Sequence, residues 1–348
     1  MKKLIALILT FVLLVSLTGC VGTTVVIGNC TCPEGGHAAP EPVVPAEGAL
    51  KTGLSVSVKI SDSVSATAEA AGAAKYDVTL AAVTVDDKGV IVSCVIDSIP
   101  ATVSFDAAGV ITSDITADVL TKNELGENYG MVAWGGAVAE WDKQVAAVAK
   151  YAEGKTVAEL KNGDIDMTTG KAKDGTDLSS SATIYLAGYV YAIEAAVNNA
   201  QHRGAQAGDE LVLATLNSTK SSTAGNAQLD ADITVLTKKD GKITSCYIDS
   251  LQAKIGFDAT GTITTDLSAG VKTKNELGKD YGMVAWGGAI AEWNEQAAAF
   301  ASYVTGKTAA EVAGIAVTET TKPADADLSS SVTIAIGGFQ ALIAKAMQ

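Results

Sequence analysis

The stretch "TKNELGENYGMVAWGGAVAEWDKQ" at residues 121–144 returns as "TKNELGKDYGMVAWGGAIAEWNEQ" at residues 273–296. Nineteen of these 24 positions are identical, at an offset of 152 residues (273 − 121). The same offset relates "VSCVIDSI" from Val92 to "TSCYIDSL" from Thr244. Solenoid repeats have periods of about 20–50 residues, so this much longer period indicates a duplicated domain. We therefore predict two copies of one fold.

The duplication sets the expected boundaries. Copy 1 is placed at residues 51–200 and copy 2 at residues 211–348, with the short polar junction "QHRGAQAGDE" at residues 201–210 between them. Residues 20–50 contain four of the chain's six prolines, which predicts an extended, semi-rigid tether. Residues 1–19 precede the tether.

Each copy opens with strand patterns and closes with helical ones. In copy 1 β-branched runs flank the turn "DDKG" and in copy 2 they flank "KKDG", which predicts hairpins. A further strand pair is expected around "FDAAGVIT" and "FDATGTIT". Helical periodicity follows over residues 137–151 and again from Leu186 to Val197. The predicted fold class is α+β: two copies of a small domain, each a curved antiparallel sheet with packed helices.

Charge and composition exclude some partners. The chain has a formal net charge of −14, and its lysines form no cluster larger than a pair. Nucleic acid is therefore not an expected partner, because phosphate neutralisation needs clustered Lys and Arg. Apolar residues make up 48 % of the chain and aromatic residues only 5 %, so the cores are expected to consist of Ala, Val, Ile and Leu.

The pattern of residues 1–19 predicts a signal peptide. A cationic "MKK" precedes a fourteen-residue apolar run, which is short for a membrane span. Residues 17–20, "LTGC", resemble the lipobox of bacterial lipoproteins. The resemblance implies cleavage before Cys20 and acylation of its thiol, hence an extracytoplasmic lipoprotein anchored to the bacterial cell membrane by a lipid. The alternative is an ordinary secretory signal with a chance cysteine.

The remaining cysteines fall into two groups. Cys30 and Cys32 lie in the tether near His37, and this set is too small for a metal site, so a local disulfide or free thiols are expected and no metal is predicted. Cys94 and Cys246 occupy matching places in apolar strand-like runs, which predicts buried small hydrophobes.

The tryptophans are spaced by seven residues in both copies, as Trp134 with Trp141 and Trp286 with Trp293. Residues seven apart share one face of a helix, although "WGGA" interrupts that helix. We predict that these side chains pack in the core or between the copies, and the alternative is stacking on a planar ligand such as a flavin.

No catalytic constellation is evident. Asp97 and Asp249 are expected at strand ends as turn or cap residues, and Glu140 and Glu292 each precede a tryptophan without forming a carboxylate pair. The only histidines, His37 and His202, do not correspond between the copies, and no hydrolase, metalloprotease or phosphate-loop motif is present. No catalytic residue is predicted, and the chain is expected to be at most a redox carrier.

A hydroxyl-rich motif precedes the last helix of each copy, as "DLSSSATI" at residues 177–184 and "DLSSSVTI" at residues 327–334. Asp and Ser are favoured helix N-caps, because their oxygens accept free backbone N–H groups. The first interpretation of the motif is a helix cap. The second is a phosphate-binding site, because the start of a helix also suits a phosphate group.

The layout and this motif resemble the FMN-binding domain of bacterial surface flavoproteins. That family's signature is Asp, two variable residues, Ser or Thr, Gly, Ala, then Thr or Ser, and FMN is joined to the last hydroxyl through a phosphoester by a flavin transferase. The resemblance implies that the cofactor-binding residues are Asp177, Ser180 and Thr183 in copy 1, and Asp327, Ser330 and Thr333 in copy 2.

The motif departs from the signature at the glycine, where Ser181 and Ser331 stand, and Val332 replaces the alanine in copy 2. A Cβ makes a positive φ costly at that place. Two functions therefore stay open. One is a membrane-anchored flavin carrier in surface electron transfer, with a surface redox or protein partner. The other is a non-catalytic surface binding or spacer module of the same fold without flavin.

Overall fold

A computed structural model describes residues 48–348 of the chain. The signal peptide, the lipid-acceptor Cys20, the Cys30–Cys32 pair and nearly all of the tether lie outside the described residues, so the expectations about them stay predictions. Within residues 48–348, none of the helices combines the length and the apolar character that crossing a bilayer requires.

Copy 1 begins with an antiparallel meander of β1 (Ala49–Lys59), β2 (Gly72–Val85) and β3 (Ile91–Phe105). The predicted "DDKG" hairpin joins β2 to β3. The Asp86 carboxylate accepts the N–H groups of Lys88 and Val90, and Gly89 adopts a φ of 79° that a side chain would disfavour. The strand pair expected at "FDAAGVIT" is wrong, because the chain forms only a single bridge there.

Six helices follow in copy 1, together with two short strands. The segments are β4 (Ile165–Asp166), β5 (Lys171–Ala172), α1 (Lys122–Leu125), α2 (Met131–Gly135), α3 (Trp141–Ala152), α4 (Val157–Asn162), α5 (Asp177–Ser181) and α6 (Ala187–Asn198). The helix expected from residue 137 begins at Trp141 instead. The cause is Gly136, whose left-handed φ of 62° ends α2 and lets the chain turn before α3.

The expected polar junction is largely strand. β6 (Gln201–Gln206) pairs antiparallel with β1 and completes a first sheet in the order β3-β2-β1-β6. β6 lies at the sheet edge with one buried residue, Ala205, and five polar or glycine residues, so it lacks the apolar alternation that marks a half-buried strand. The boundaries of the copies at residues 200 and 211 remain predictions from the sequence.

Without counterparts of β4, β5 and β6, copy 2 repeats the three-stranded meander and the six helices. They are β7 (Glu210–Ser218), β8 (Asn226–Lys239), β9 (Lys242–Gly256), α7 (Lys274–Leu277), α8 (Met283–Gly287), α9 (Trp293–Val304), α10 (Ala309–Ala313), α11 (Ala326–Ser329) and α12 (Gly337–Ala346). The strands form a second sheet in the order β7-β8-β9.

The two sheets pack face to face. Leu80 and Ile99 of the first sheet share one buried cluster with Ile233 and Leu251 of the second. The opposite face of each sheet is covered by the helices of the same copy. Val83 of the first sheet packs against the helices of copy 1, and the strands of the second sheet pack against the helices of copy 2 in a separate buried cluster. The α+β class is confirmed, as four layers within one compact unit.

The contact between the sheets is reciprocal. The rings of Phe105 and Phe257 stack with centroids 4.0 Å apart and planes 3° from parallel. A Cβ on Gly109 would lie 2.6 Å from the carbonyl oxygen of Asp258, and a Cβ on Gly261 would lie 2.6 Å from that of Asp106. Each glycine thus approaches, in the other copy, the equivalent of an aspartate in its own copy. The same reciprocity is found across the two-fold interface of a symmetric dimer.

Candidate functional site

The hydroxyl motif forms a short helix of its own in each copy. Thr176 caps α5 by accepting the N–H of Ser179, so Asp177 is the first helical residue and not the cap. In copy 2 the cap of α11 is Asp325, two residues before Asp327. The long helices α6 and α12 have no side-chain cap. The predicted cap of the last helix is therefore wrong, because an extended segment intervenes.

The serines of the motif bond locally. The hydroxyls of Ser180 and Ser181 both donate to the carbonyl oxygen of Asp177, and the hydroxyl of Ser330 donates to that of Asp327. Ser181 lies within α5, and among the described residues only Asp240 and Thr321 are non-glycine residues with positive φ. A serine at the glycine position is therefore unstrained, which corrects the expected cost.

Buried glutamines hold the threonine of the motif in both copies. The side-chain oxygen of Gln144, which is fully buried on α3, accepts the backbone N–H of Thr183 at 2.8 Å and faces its hydroxyl at 3.4 Å. Gln296 holds Thr333 in the same way, at 2.7 Å and 3.1 Å. The geometry fixes the backbone at both threonines and leaves Thr183 exposed.

A groove of about 490 Å³ opens beside this motif in copy 1. Its floor is the outer face of β1 and β2, which carries Ser57 and Thr79, and its wall is α6 with the two residues after Thr183, Ile184 and Tyr185. Thr183 itself does not line the groove. The volume lies within the range of pockets that hold small molecules, about 300–1,000 Å³.

Aromatic side chains dominate the wall. The buried indole of Trp141 donates to the hydroxyl of Tyr189 at 2.9 Å, and the two rings meet edge to face with centroids 6.0 Å apart. Burial raises the pKa of Tyr189 to about 12, so its hydroxyl stays neutral. Tyr185 and Tyr191 are 60 % and 53 % exposed at the rim. Exposed aromatic rings beside a groove suit a planar ligand.

A smaller pocket of about 200 Å³ continues the groove and shares Lys59 and Asp77 with it. Lys75 and Lys122 also line this pocket. The ammonium of Lys122 lies 5.1 Å from the Trp141 ring centroid and 3.7 Å from the Asp77 carboxylate. Asp62 also lines the pocket and pairs with Lys59 at 2.7 Å, so three lysines face two carboxylates and leave a formal charge of +1 (3 − 2) beside the aromatic wall.

Copy 2 does not reproduce this surface. Strand registers and the motif match each groove position to its counterpart: Lys59, Lys75, Tyr185, Tyr189 and Tyr191 become Ser218, Gln228, Ala335, Phe339 and Ala341. Larger side chains stand where copy 1 is open, namely Leu216, Leu342 and Lys345 in place of Ser57, Ala192 and Ala195. The Lys345 ammonium bonds the carbonyl oxygen of Thr215 at 2.7 Å and pairs with Glu124 of copy 1.

The tryptophans divide into two kinds. Trp141 and Trp293 are buried, as predicted, and Lys274 reaches Trp293 just as Lys122 reaches Trp141. Trp134 and Trp286 are 90 % and 89 % exposed, so their predicted burial is wrong. The glycine pair after each exposed tryptophan ends its helix, which breaks the helical face that the spacing of seven implied.

The exposed tryptophan loops are nevertheless ordered by specific bonds. The buried carboxylate of Glu140 accepts the N–H groups of Met131 and Val132 at 2.8 and 3.0 Å. The indole of Trp134 lies over Gly130, where a Cβ would be 2.2 Å from the ring. Glu292 and Trp286 repeat these contacts in copy 2.

Asp97 and Asp249 lie in the middle of β3 and β9, not at strand ends as expected. The Asp97 carboxylate accepts the N–H groups of Ser98 and Asn123, so it does cap the first turn of α1. Burial raises the pKa of Asp97, and it raises the pKa of Asp249 to about 6. Both are structural groups of the strand–helix contact, and neither lines the groove.

The two strand cysteines are buried and free, as predicted. Among residues 48–348 no three His, Cys, Asp or Glu side chains are grouped so as to hold a metal ion. Comparison with protein-family models, with curated proteins and with solved structures finds no match to the chain. The groove of copy 1 is therefore assigned as the candidate site on its own geometry.

Proposed function

We propose that the chain is a lipid-anchored extracytoplasmic protein whose copy 1 binds a planar anionic ligand of the flavin mononucleotide class. The observation that carries the proposal is the continuity of an aromatic groove with a lysine-lined pocket. One part suits a flat ring system and the other suits a phosphate. The motif resemblance points to the same cofactor from the sequence.

The residues present fit the two ends of FMN. Tyr185 and Tyr191 are more than half exposed at the rim, and Trp141 lines the groove. Lys75 supplies an ammonium group that forms no ion pair among the described residues and would attract a phosphate, with Lys59 beside it in an ion pair with Asp62. A bound flavin would supply the electron-transfer chemistry, and the protein's part would be to bind, orient and shield it.

Titration with FMN tests the proposal. We expect FMN to quench the tryptophan fluorescence of the purified chain saturably, because Trp141 borders the groove. Riboflavin, which lacks the phosphate, is expected to bind at least about tenfold more weakly, since charge-assisted bonds to phosphate are lost. No saturable quenching up to millimolar FMN would rule out a flavin site.

Exchanging residues between the two copies gives matched control variants. Tyr185→Ala and Tyr191→Ala place the residues of copy 2 into copy 1, and both positions are too exposed for the fold to depend on them. The double variant should lose about tenfold or more in FMN affinity, because stacking contributes about 0.5–1.5 kcal/mol per ring. The converse pair, Ala335→Tyr and Ala341→Tyr, should change nothing, since Leu342 and Lys345 still fill copy 2.

Attachment is a separate question from binding. If the phosphate of FMN is esterified to Thr183, then yellow colour will stay with the unfolded protein produced in a host with a flavin transferase. Thr183→Ala would remove that colour, and Thr333→Ala would test copy 2. The proposed anchor is tested by Cys20→Ser, which should move the chain from the membrane fraction to the soluble fraction.

A second candidate function is a surface binding module without flavin. It is favoured by Trp134 and Trp286, since both copies retain a fully exposed indole on an ordered loop. Tryptophan is enriched among the residues that contribute most to binding at protein–protein interfaces. The FMN titration separates the two functions, because this module has no use for the groove.

A further inference from the structure

A second cleft lies at the other end of the first sheet, where β6 passes beside copy 2. It has a volume of about 510 Å³ and lies between β6, β9 and the last turn of α9. The two strands approach closely, since a Cβ on Gly204 would lie 2.3 Å from the carbonyl oxygen of Thr244. The cleft shares no lining residue with the groove of copy 1.

The cleft contains Arg203, which is the only arginine in the chain's 348 residues. Its guanidinium lies over the ring of Tyr247, 4.4 Å from the centroid. It donates to the carbonyl oxygen of Thr52 at 2.7 Å and to the side-chain oxygen of Gln201 at 3.2 Å. A guanidinium has five N–H groups, so these two bonds leave donors for a ligand.

This guanidinium has no counter-ion in the described part of the chain. No carboxylate of residues 48–348 forms an ion pair with Arg203, although Asp and Glu outnumber Lys and Arg by 39 to 25. Burial lowers the pKa of Arg203 from its usual value, which is the sign of a partly desolvated charge. Half-buried charges without a partner are costly, so such a site favours an anion.

The rest of the lining indicates the size and polarity of that anion. Ala298 and Ala301 of α9 give an apolar wall, and the hydroxyls of Ser302 and Thr305 stand at its end. The hydroxyl of Thr305 already donates to the carbonyl oxygen of Ala301. The C-terminus of α9 offsets only part of the guanidinium charge, because a helix end carries about half an elementary charge.

We propose that this cleft binds a small organic monocarboxylate with an apolar body. The guanidinium of Arg203 would take the carboxylate through its free N–H groups, and the alanines of α9 would contact the apolar part. A planar guanidinium matches the two oxygens of a carboxylate. Arg203 is the only cation among the described lining residues, which suits a single negative charge better than a doubly charged phosphate.

Copy 1 provides the contrast. Its corresponding strand and helix positions carry Val95 for Tyr247, Lys150 for Ser302 and Glu153 for Thr305. There the charge is neutralised internally, since the Lys150 ammonium lies 2.5 Å from the Glu153 carboxylate. The anion site is therefore a property of the corner that β6 forms with copy 2.

The single arginine makes the test direct. In the ¹⁵N-labelled full chain, the Arg side-chain Nε–H gives one signal that needs no assignment. We expect benzoate to shift this signal saturably and benzamide, its neutral analogue, to leave it in place. Inorganic phosphate should bind more weakly than benzoate. A shift with benzamide equal to that with benzoate, tighter binding of phosphate, or no shift with benzoate would each overturn the proposal.

Two variants complete the test. Arg203→Lys keeps a positive charge without the planar fork, and it should weaken benzoate binding at least about tenfold, followed through the backbone signals of α9. Lys150→Gln alters the corresponding corner of copy 1 and should leave benzoate affinity unchanged. Equal benzoate affinity in Arg203→Lys and the wild type, with the backbone spectrum preserved, would overturn the proposed role of the guanidinium.

Discussion

Copy 1 and copy 2 have the same buried tryptophan, but only copy 1 has an open groove beside it. Trp141 and Trp293 are both buried at the start of their helices, each with a lysine against the ring. Around them, tyrosines and lysines of copy 1 are replaced by Ala, Phe, Ser and Gln in copy 2. The anchor is thus a shared framework, whereas the residues at the rim differ between the copies.

The largest effect is expected from removing the shared anchor. Trp141→Ala should lower the free energy of unfolding by about 3–5 kcal/mol, because a large buried ring leaves a cavity. Trp293→Ala should cost a similar amount, measured by denaturant titration. A cost under about 1 kcal/mol in one copy only would show that the anchor is not shared framework.

The next effect is pH-dependent. Burial raises the pKa of Asp249 from 3.8 to about 6, with a smaller contribution from the nearby Glu276. The folded state therefore holds a proton more tightly than the unfolded chain, and stability falls as pH rises from about 4 to about 6. Asp249→Asn should remove this pH dependence. The unfolding free energy of the variant, relative to that of the wild type, should therefore rise by roughly 3 kcal/mol between pH 4 and pH 6.

Asp97→Asn tests the same effect in copy 1 and should have the same sign, since burial also raises the pKa of Asp97. The measurement is the unfolding free energy of each variant across that pH range. A wild-type stability that rises over this interval, with both variants parallel to it, would contradict the assignment.

A smaller effect distinguishes the walls of the two grooves. Tyr189→Phe introduces the copy 2 residue and leaves the Trp141 N–H without its acceptor at 2.9 Å. We expect a loss of about 1 kcal/mol in unfolding free energy. Phe339→Tyr is the matched control, since it offers Trp293 a hydroxyl and should not destabilise. Equal losses from both substitutions would mean that packing, and not the hydrogen bond, determines the difference.

The smallest effect is expected at the exposed tryptophans. Trp134→Ala and Trp286→Ala should each change the unfolding free energy by less than about 0.5 kcal/mol, because both rings are almost fully in water. Thermal unfolding of the two variants beside Trp141→Ala makes the contrast. A loss of several kcal/mol would show that the loop depends on its indole.

Local features of the fold were predictable from the sequence. Alternating β-branched residues around an Asp–Gly turn predicted β2 and β3, and the apolar surroundings of Cys94 predicted its burial. β6 was not predictable, because an exposed edge strand needs no apolar alternation and gains its order from pairing with β1. The same limit applies to Trp134, whose exposure depends on where two glycines end a helix.

The groove was also beyond sequence reasoning. Lys59, Asp77 and Tyr185 are far apart along the chain, and they meet only through the register of β1 on β2 and the packing of α6 above them. Thr183 of the hydroxyl motif lies two residues from Tyr185, so the motif ends beside the groove without including its aromatic lining. The signal that would have helped is the difference between copies, since three tyrosines occur in residues 185–191 and none in residues 335–341.

The stacked rings of Phe105 and Phe257 belong to a contact that does not depend on protein concentration. A contact of this symmetry between separate subunits weakens as protein concentration falls, since association is bimolecular. Here both partners belong to one polypeptide, so the contact forms within a single molecule at any concentration. The paired sheets therefore need no second molecule, and the unfolding free energy is expected to be independent of protein concentration.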